Sequence, residues 1–266
     1  MRAIATRIIV LAVIIIIVIG GVGYYYLAGM GQSTQTKHKL AMIISGPVSD
    51  QDYEALGYQT LQALQTKFGI TTAYSENVNP ADATSAVSQY VSEGYDVIWA
   101  HGAEFASAIG AGTDQQGVAA QFPNTTFIIE TDVPPAQIRS NCWVIDRNYI
   151  PGQYADGAAA ALATKTGVIA YIGGLELPFS DAEANAIIQA VHDTNSSVKV
   201  LRYWTNDFFD PVAAASAANA LVAQHADVII NSLNLGYFGI VQAVNNSNVL
   251  LIAKYTDKIA SAPNNQ

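Results

Sequence analysis

Leu40-Ala41-Met42-Ile43-Ile44, followed by Ser45-Gly46-Pro47-Val48-Ser49-Asp50-Gln51-Asp52-Tyr53, decides the fold class. Five apolar residues without alternation read as a strand buried on both faces, because a strand with one wet face alternates apolar and polar residues. The turn formers and acids that follow close that strand and open a helix, expected over Tyr53–Phe68. The unit then recurs. Residues 70–74, 96–100 and 126–129 read as further strands, with helices entering at Pro80-Ala81-Asp82 and running over 105–121. Strands alternating with helices imply a parallel sheet covered on both faces.

After Pro134-Pro135 and a short strand at 143–145 the rhythm restarts. Helices are expected over 153–164, 181–192, 212–224 and 237–244, and strands over 168–172, 198–203, 227–231 and 249–252. The reading is α/β: two doubly wound parallel-sheet lobes, residues 39–145 and 146–266, hinged near 132–150. Ligands of open parallel sheets bind outside the carboxyl ends of the strands, so two facing lobes make a cleft lined by strand-end loops.

Composition narrows the function. Lys and Arg total 12 against 21 Asp and Glu, net −9, which excludes the basic surface a nucleic-acid binder needs to displace counterions. Charged residues are only 12% and apolar ones 51%, which excludes a disordered chain. Cys142 is the single cysteine, so neither an internal disulfide nor a cysteine-built zinc site is available. Part of the apolar excess lies in the 21 uncharged residues 8–28, long enough at about 1.5 Å per residue to cross a bilayer core. Arg2 and Arg7 precede this span and Tyr24, Tyr25 and Tyr26 end it, so residues 1–31 read as an uncleaved transmembrane anchor with the rest outside the cytoplasm. Residues 32–38 read as a tether.

The strand-end loops carry aromatic, Asn and Asp residues, with Lys254 as their cation. Such a cleft suits a neutral, polar, ring-bearing molecule, whose hydroxyls meet carboxylates and whose ring stacks on aromatic faces; a nucleoside, nucleobase or sugar fits. Candidate ligand contacts are Asp50, Tyr53, His101, Glu104, Phe105, Trp204, Phe208, Phe209, Asn231 and Asp257. Asp52 is expected to cap the helix at Tyr53, with Asp50 open to either role, and Asp210 before Pro211 to cap the helix that follows. No phosphate loop, dinucleotide fingerprint, nucleophile motif or metal-ligand spacing stands out, so no cofactor, metal or catalytic residue is expected.

Four segments carry a resemblance to a known family: 46–53; Glu93-Gly94-Tyr95-Asp96-Val97-Ile98-Trp99-Ala100; Lys165-Thr166-Gly167-Val168-Ile169-Ala170-Tyr171-Ile172-Gly173-Gly174; and Trp204 through Asp210-Pro211 to Ala226-Asp227-Val228-Ile229. In order and spacing they resemble the basic membrane protein family of solute-binding proteins, which serve ABC importers and include nucleoside-binding lipoproteins. The resemblance implies a type I periplasmic-binding-protein fold with a base stacked between lobes. It places Tyr53 and Phe208 or Phe209 as stacking aromatics, Asp257 at the sugar hydroxyls and Glu104-Phe105 as a polar-aromatic pair. His225 stands where that family has glycine, and the family chain continues beyond the position of Gln266, so its final crossover to the first lobe is expected to be missing here. The expected function is a monomeric, membrane-tethered receptor that delivers a nucleoside-like ligand to an ABC permease. The rival readings are an exported nucleoside hydrolase using Asp50, Asp52 and His101, and a sensor domain for a signalling partner.

Overall fold

The apolar runs form strands in a computed structural model that describes residues 38–114, 116–245 and 247–262. The first sheet comprises β1 (Lys39–Ile44), β2 (Thr71–Ser75), β3 (Val97–His101), β4 (Thr126–Glu130) and β5 (Cys142–Ile145), in the order β2-β1-β3-β4-β5. Every pairing is parallel, with Met42 opposite Tyr74 on one side and Trp99 on the other. Helices α1 (Tyr53–Phe68) and α2 (Ala83–Ser92) lie on opposite faces. Leu61 of α1 packs on Leu40, Met42, Ile44 and Trp99, while Val87 and Tyr90 of α2 pack on Ala41, Ile43 and Ile98. Successive residues of β1 point to opposite faces, so an unbroken apolar run serves both cores.

The second sheet orders β6 (Val168–Gly173), β7 (Lys199–Trp204), β8 (Val228–Ser232) and β9 (Leu250–Ile252) as β7-β6-β8-β9, again all parallel. Between α2 and the second sheet come the short α3 (Ala106–Ile109) and α4 (Val118–Gln121), then α5 (Ile150–Ala163). α6 (Pro178–Asn195) joins α5 on the face carrying Ile169, Tyr171, Val228 and Ile230. α7 (Pro211–Val222) and α8 (Gly236–Val244) cover the face carrying Ala170, Ile172, Ile229 and Leu251. Each sheet reverses its winding once, between β1 and β3 and between β6 and β8. The crevice at a reversal is where open α/β sheets take ligands.

One expected helix changes. Residues 105–121 do not form one helix: α3 ends at Gly110, whose φ of 65° is left-handed, and the chain loops before α4. Gly110 and Gly117 touch so closely that a Cβ on Gly110 would sit 2.6 Å from the Gly117 Cα, a contact only glycines allow. The segment after β9 packs side chains against the first lobe and adds no strand to its sheet among the described residues. Its Lys258 pairs with Asp52 at 2.8 Å, and the Tyr255 ring meets Tyr53 with centroids 5.1 Å apart. The expected anchor, and the tether up to residue 37, lie outside the described residues. Among those described, no helix is long and apolar enough to cross a membrane.

Candidate functional site

Tyr53, the first residue of α1, enters the cleft from the β1 loop. Its ring stacks on His101 from the end of β3, with centroids 4.1 Å apart and planes 11° from parallel. The Arg147 guanidinium, from the link between β5 and α5, lies 4.8 Å from the ring centroid. Under this layer sits Glu130 at the end of β4. Its carboxylate accepts from Tyr53 Oη, Trp99 Nε1 and His101 Nδ1, each at 2.7 Å, and pairs with Arg147 at 3.2 Å. Burial alone would raise the Glu130 pKa, but His101, Arg147 and Tyr53 together outweigh it and bring it down to about 2. His101 Nε2 faces the Tyr53 carbonyl at 3.0 Å, so both ring nitrogens are engaged beneath the cleft.

The acids of the β1 loop divide their tasks differently from the expectation. Asp50, fully buried, accepts from the backbone amides of Asp52, Glu54 and Ala55 and so caps α1. Asp52 makes no capping bond. Gln51 adopts a left-handed φ of 59°, and that turn aims residue 50 at the helix amides and leaves Asp52 free to reach across the cleft to Lys258 and Thr256. Burial raises the Asp52 pKa to about 6 even though Lys258 opposes the shift.

Glu104 shares the Ser45 hydroxyl with Glu54, which accepts from it at 3.1 Å. Burial raises the pKa of both carboxyls, that of Glu54 well above its ordinary value, reinforced by Glu104 and Asp50. The Glu104 carboxyl folds back over Gly102, whose φ is 132° and where a Cβ would come within 2.4 Å of it.

From the second lobe, Phe208 lies over Gly174 and packs on Phe179 with centroids 6.4 Å apart. Phe209 reaches over Gly46 of the first lobe, where a Cβ would sit 2.1 Å from its ring. Lys254 pairs with the buried Glu183 and lies 4.2 Å from the Tyr149 ring centroid. Tyr53, Arg147, Phe208 and Tyr255 thus fill the centre of the cleft and leave a void of about 20 Å³. Cavities of about 370 Å³, toward Pro134 and Leu177, and about 420 Å³, toward Asn79 and Asn206, flank it.

The structure therefore brings Tyr53, Glu104 and Phe208 to the central void and Phe209 to one flank, with His101 directly beneath. It puts five expected contacts elsewhere, the first being Asp50, fully buried at the cap of α1. Phe105 is fully buried in the core under the first sheet with Ile109 and Phe127. Trp204 packs edge-on against Tyr171 with centroids 5.5 Å apart. Asn231 is buried and donates to the Ile252 carbonyl at 3.0 Å, tying β8 to β9. Asp257 is exposed and accepts from the Ile259 amide at 3.0 Å in the final turn. The sequence reading missed Arg147, Glu130 and Tyr255. Arg147 had a signal: an arginine in the expected hinge of a chain with few charges.

A cleft between two parallel-sheet lobes, closed by side chains from both, is the geometry of a binding protein. The family model for "ABC transporter substrate-binding protein PnrA-like" matches residues 37–266. The chain belongs to this family. A purine-binding protein of Brucella abortus is 26% identical over 244 residues, covering 91% of this chain and 67% of the relative. A Haloferax volcanii protein named for glucose binding by an ABC transporter is 28% identical over 203 residues, covering 76% of this chain and 49% of the relative. Among solved structures, an ABC-transporter solute-binding protein of Aeropyrum pernix aligns with a TM-score of 0.69 at 15% identity, covering 80% of this chain and 61% of that one. That likeness is one of fold. Within this PnrA-like family the chain carries its polar and aromatic residues at both winding reversals.

Proposed function

We propose that this chain is an extracytoplasmic, membrane-tethered receptor that closes on a purine nucleoside or related base and presents it, as a monomer, to an ABC permease. The observation that carries the ligand class is the pair of aromatic faces, Tyr53 from the first lobe and Phe208 from the second, that border one void together with carboxyl and amide groups. A ring can stack there while its substituents reach Glu104 and Asn234. A relative named for purine binding and another named for glucose binding support a ligand having both a base and a sugar. The central void of about 20 Å³ has room for about one water, so the ligand enters as the lobes part and the central side chains swing aside.

The hydrolase reading loses its base, because both ring nitrogens of His101 are committed and Tyr53 covers the ring. A thermal-shift and calorimetric panel of purine nucleosides, purine bases, pyrimidine nucleosides and hexoses tests the proposal. The expected result is stabilisation by at least one purine nucleoside or base at micromolar concentration. Stabilisation by none of the purines would overturn it.

A further inference from the structure

Glu104 alone borders the central void and both flanking cavities. Its hydrogen bonding constrains what can meet it. The Ser45 hydroxyl lies within reach of one oxygen of Glu104 and one oxygen of Glu54, yet a hydroxyl has a single proton to donate. Either the two carboxylates share that hydrogen, or one carboxyl carries a proton and donates it to the Ser45 oxygen. If Glu54 carries it, Glu104 is a carboxylate; if Glu104 carries it, the proton lies on the oxygen facing Ser45. In every arrangement the other Glu104 oxygen is an acceptor.

Among the described residues no Lys, Arg or His forms an ion pair with Glu104. Glu54 of the β1 loop shares the Ser45 hydroxyl with it, while His101 from β3 and Arg147 from the hinge act on it only from a distance. His101 is engaged by Glu130 and the Tyr53 carbonyl and lies 4.0 Å from Glu54, and Arg147 is held by Glu130 and Tyr53 through one terminal nitrogen, its Nε having no hydrogen-bond partner. Neither flanking cavity is lined by Lys, Arg or His. Behind Glu104, Glu54 is fully buried and its second oxygen has no hydrogen-bond partner. Glu54 and Glu104 share one hydroxyl donor between them, and Glu104 borders both flanking cavities, so its cavity side can take a donor from the ligand. We infer that Glu104 reads an N–H donor on the bound base, selecting ligands with an exocyclic amino group or a ring N–H at that edge. This rests on the nucleoside reading and specifies which nucleosides the cleft accepts.

The test is calorimetric titration of two matched pairs, adenosine with N6,N6-dimethyladenosine and inosine with 1-methylinosine, into the wild-type chain and Glu104→Ala. In each pair methylation removes the N–H and keeps the ring and sugar. A hydrogen bond to a charged group should make wild type prefer the N–H member of at least one pair by about 10- to 100-fold. Glu104→Ala should cut that preference below about threefold while leaving the methylated member's affinity nearly unchanged. Methyl bulk alone would penalise that member in both proteins, so a preference that survives Glu104→Ala overturns the inference. Should Glu104→Ala fold poorly by circular dichroism, Glu104→Leu replaces it; that side chain fills the space with no acceptor, and an undiminished preference again overturns the inference. Equal wild-type binding within both pairs removes the role of Glu104 and leaves the nucleoside reading standing. If all four compounds fail to bind, the inference falls, and the nucleoside reading falls with it only if the purine panel also gives no stabilisation.

Discussion

Glu130 has a carboxyl surrounded by four donors, which makes folding strongly dependent on its ionisation. Its folded pKa of about 2 lies below the ordinary 4.5, so its contribution, about 3 kcal/mol, is present above pH 4.5 and is lost as pH falls from there to 2. Glu130→Gln should lower stability at pH 7 by about 3 kcal/mol, since buried Arg147 loses its counter-charge, and should flatten the acid limb. Asp52 behaves in the opposite sense. Its folded pKa of about 6 lies above the ordinary 3.8, so its contribution is full below 3.8 and lost as pH rises through 6. Asp52→Asn should remove that slope between pH 4 and 6 and leave the acid limb intact. Urea midpoints from pH 2 to 8 measure both, and superimposable profiles for wild type and variants would refute both. At this scale the sequence was only partly legible. Tyr53 and Glu104 stood beside a strand end, where loop residues face a cleft. Glu130 is the last residue of an apolar strand, and only the fold shows that four donors from α1, β3 and the hinge converge on it.

Close helix contacts in the second lobe depend on glycines that the apolar pattern could not rank. Gly239 of α8 meets the α7 backbone so closely that a Cβ would sit 1.9 Å from the Pro211 carbonyl oxygen. Gly152 in α5 has nothing within 4 Å of a would-be Cβ. Gly239→Ala must push the backbone of two packed helices apart, at a cost of about 1–3 kcal/mol or more, as expected of overpacking. Gly152→Ala should stabilise by up to about 1 kcal/mol through helix propensity alone. Equal melting temperatures for the two variants would contradict this assignment. The same physics explains which elements could be read from sequence. Strands β1, β3, β6 and β8, buried on both faces, announce themselves as apolar runs. Residues 105–121 looked helical because their apolar residues are dense, and the break depends on two glycine backbones meeting, a tertiary contact that no periodicity carries.

At the scale of the whole molecule, the lobes are held together by contacts that a ligand must disturb or use. Lys258 bonds Asp52, Tyr255 tilts against Tyr53, and Phe209 rests on Gly46, each joining one lobe to the other. Two facing lobes were legible from the strand rhythm; the full filling of the space between them was not, because beside Tyr53 and Phe208 it takes Arg147 from the hinge and Tyr255 from the segment after β9. Since ligand contacts from both lobes exist together only when the lobes are closed, a ligand shifts the population toward closure. In its absence the Asp52 and Lys258 pair, buried on both sides, takes over part of that task. Lys258→Met keeps most of the side-chain volume but leaves the Asp52 carboxyl buried without its cation, a state opening relieves by admitting water. The ligand-free variant should therefore show a larger radius of gyration in small-angle scattering than wild type. A saturating purine ligand that binds in the thermal-shift panel should return it to the wild-type value, because stacking by Tyr53 and Phe208 closes the lobes by itself. Scattering unchanged by Lys258→Met would mean that the aromatic contacts alone keep the empty cleft shut.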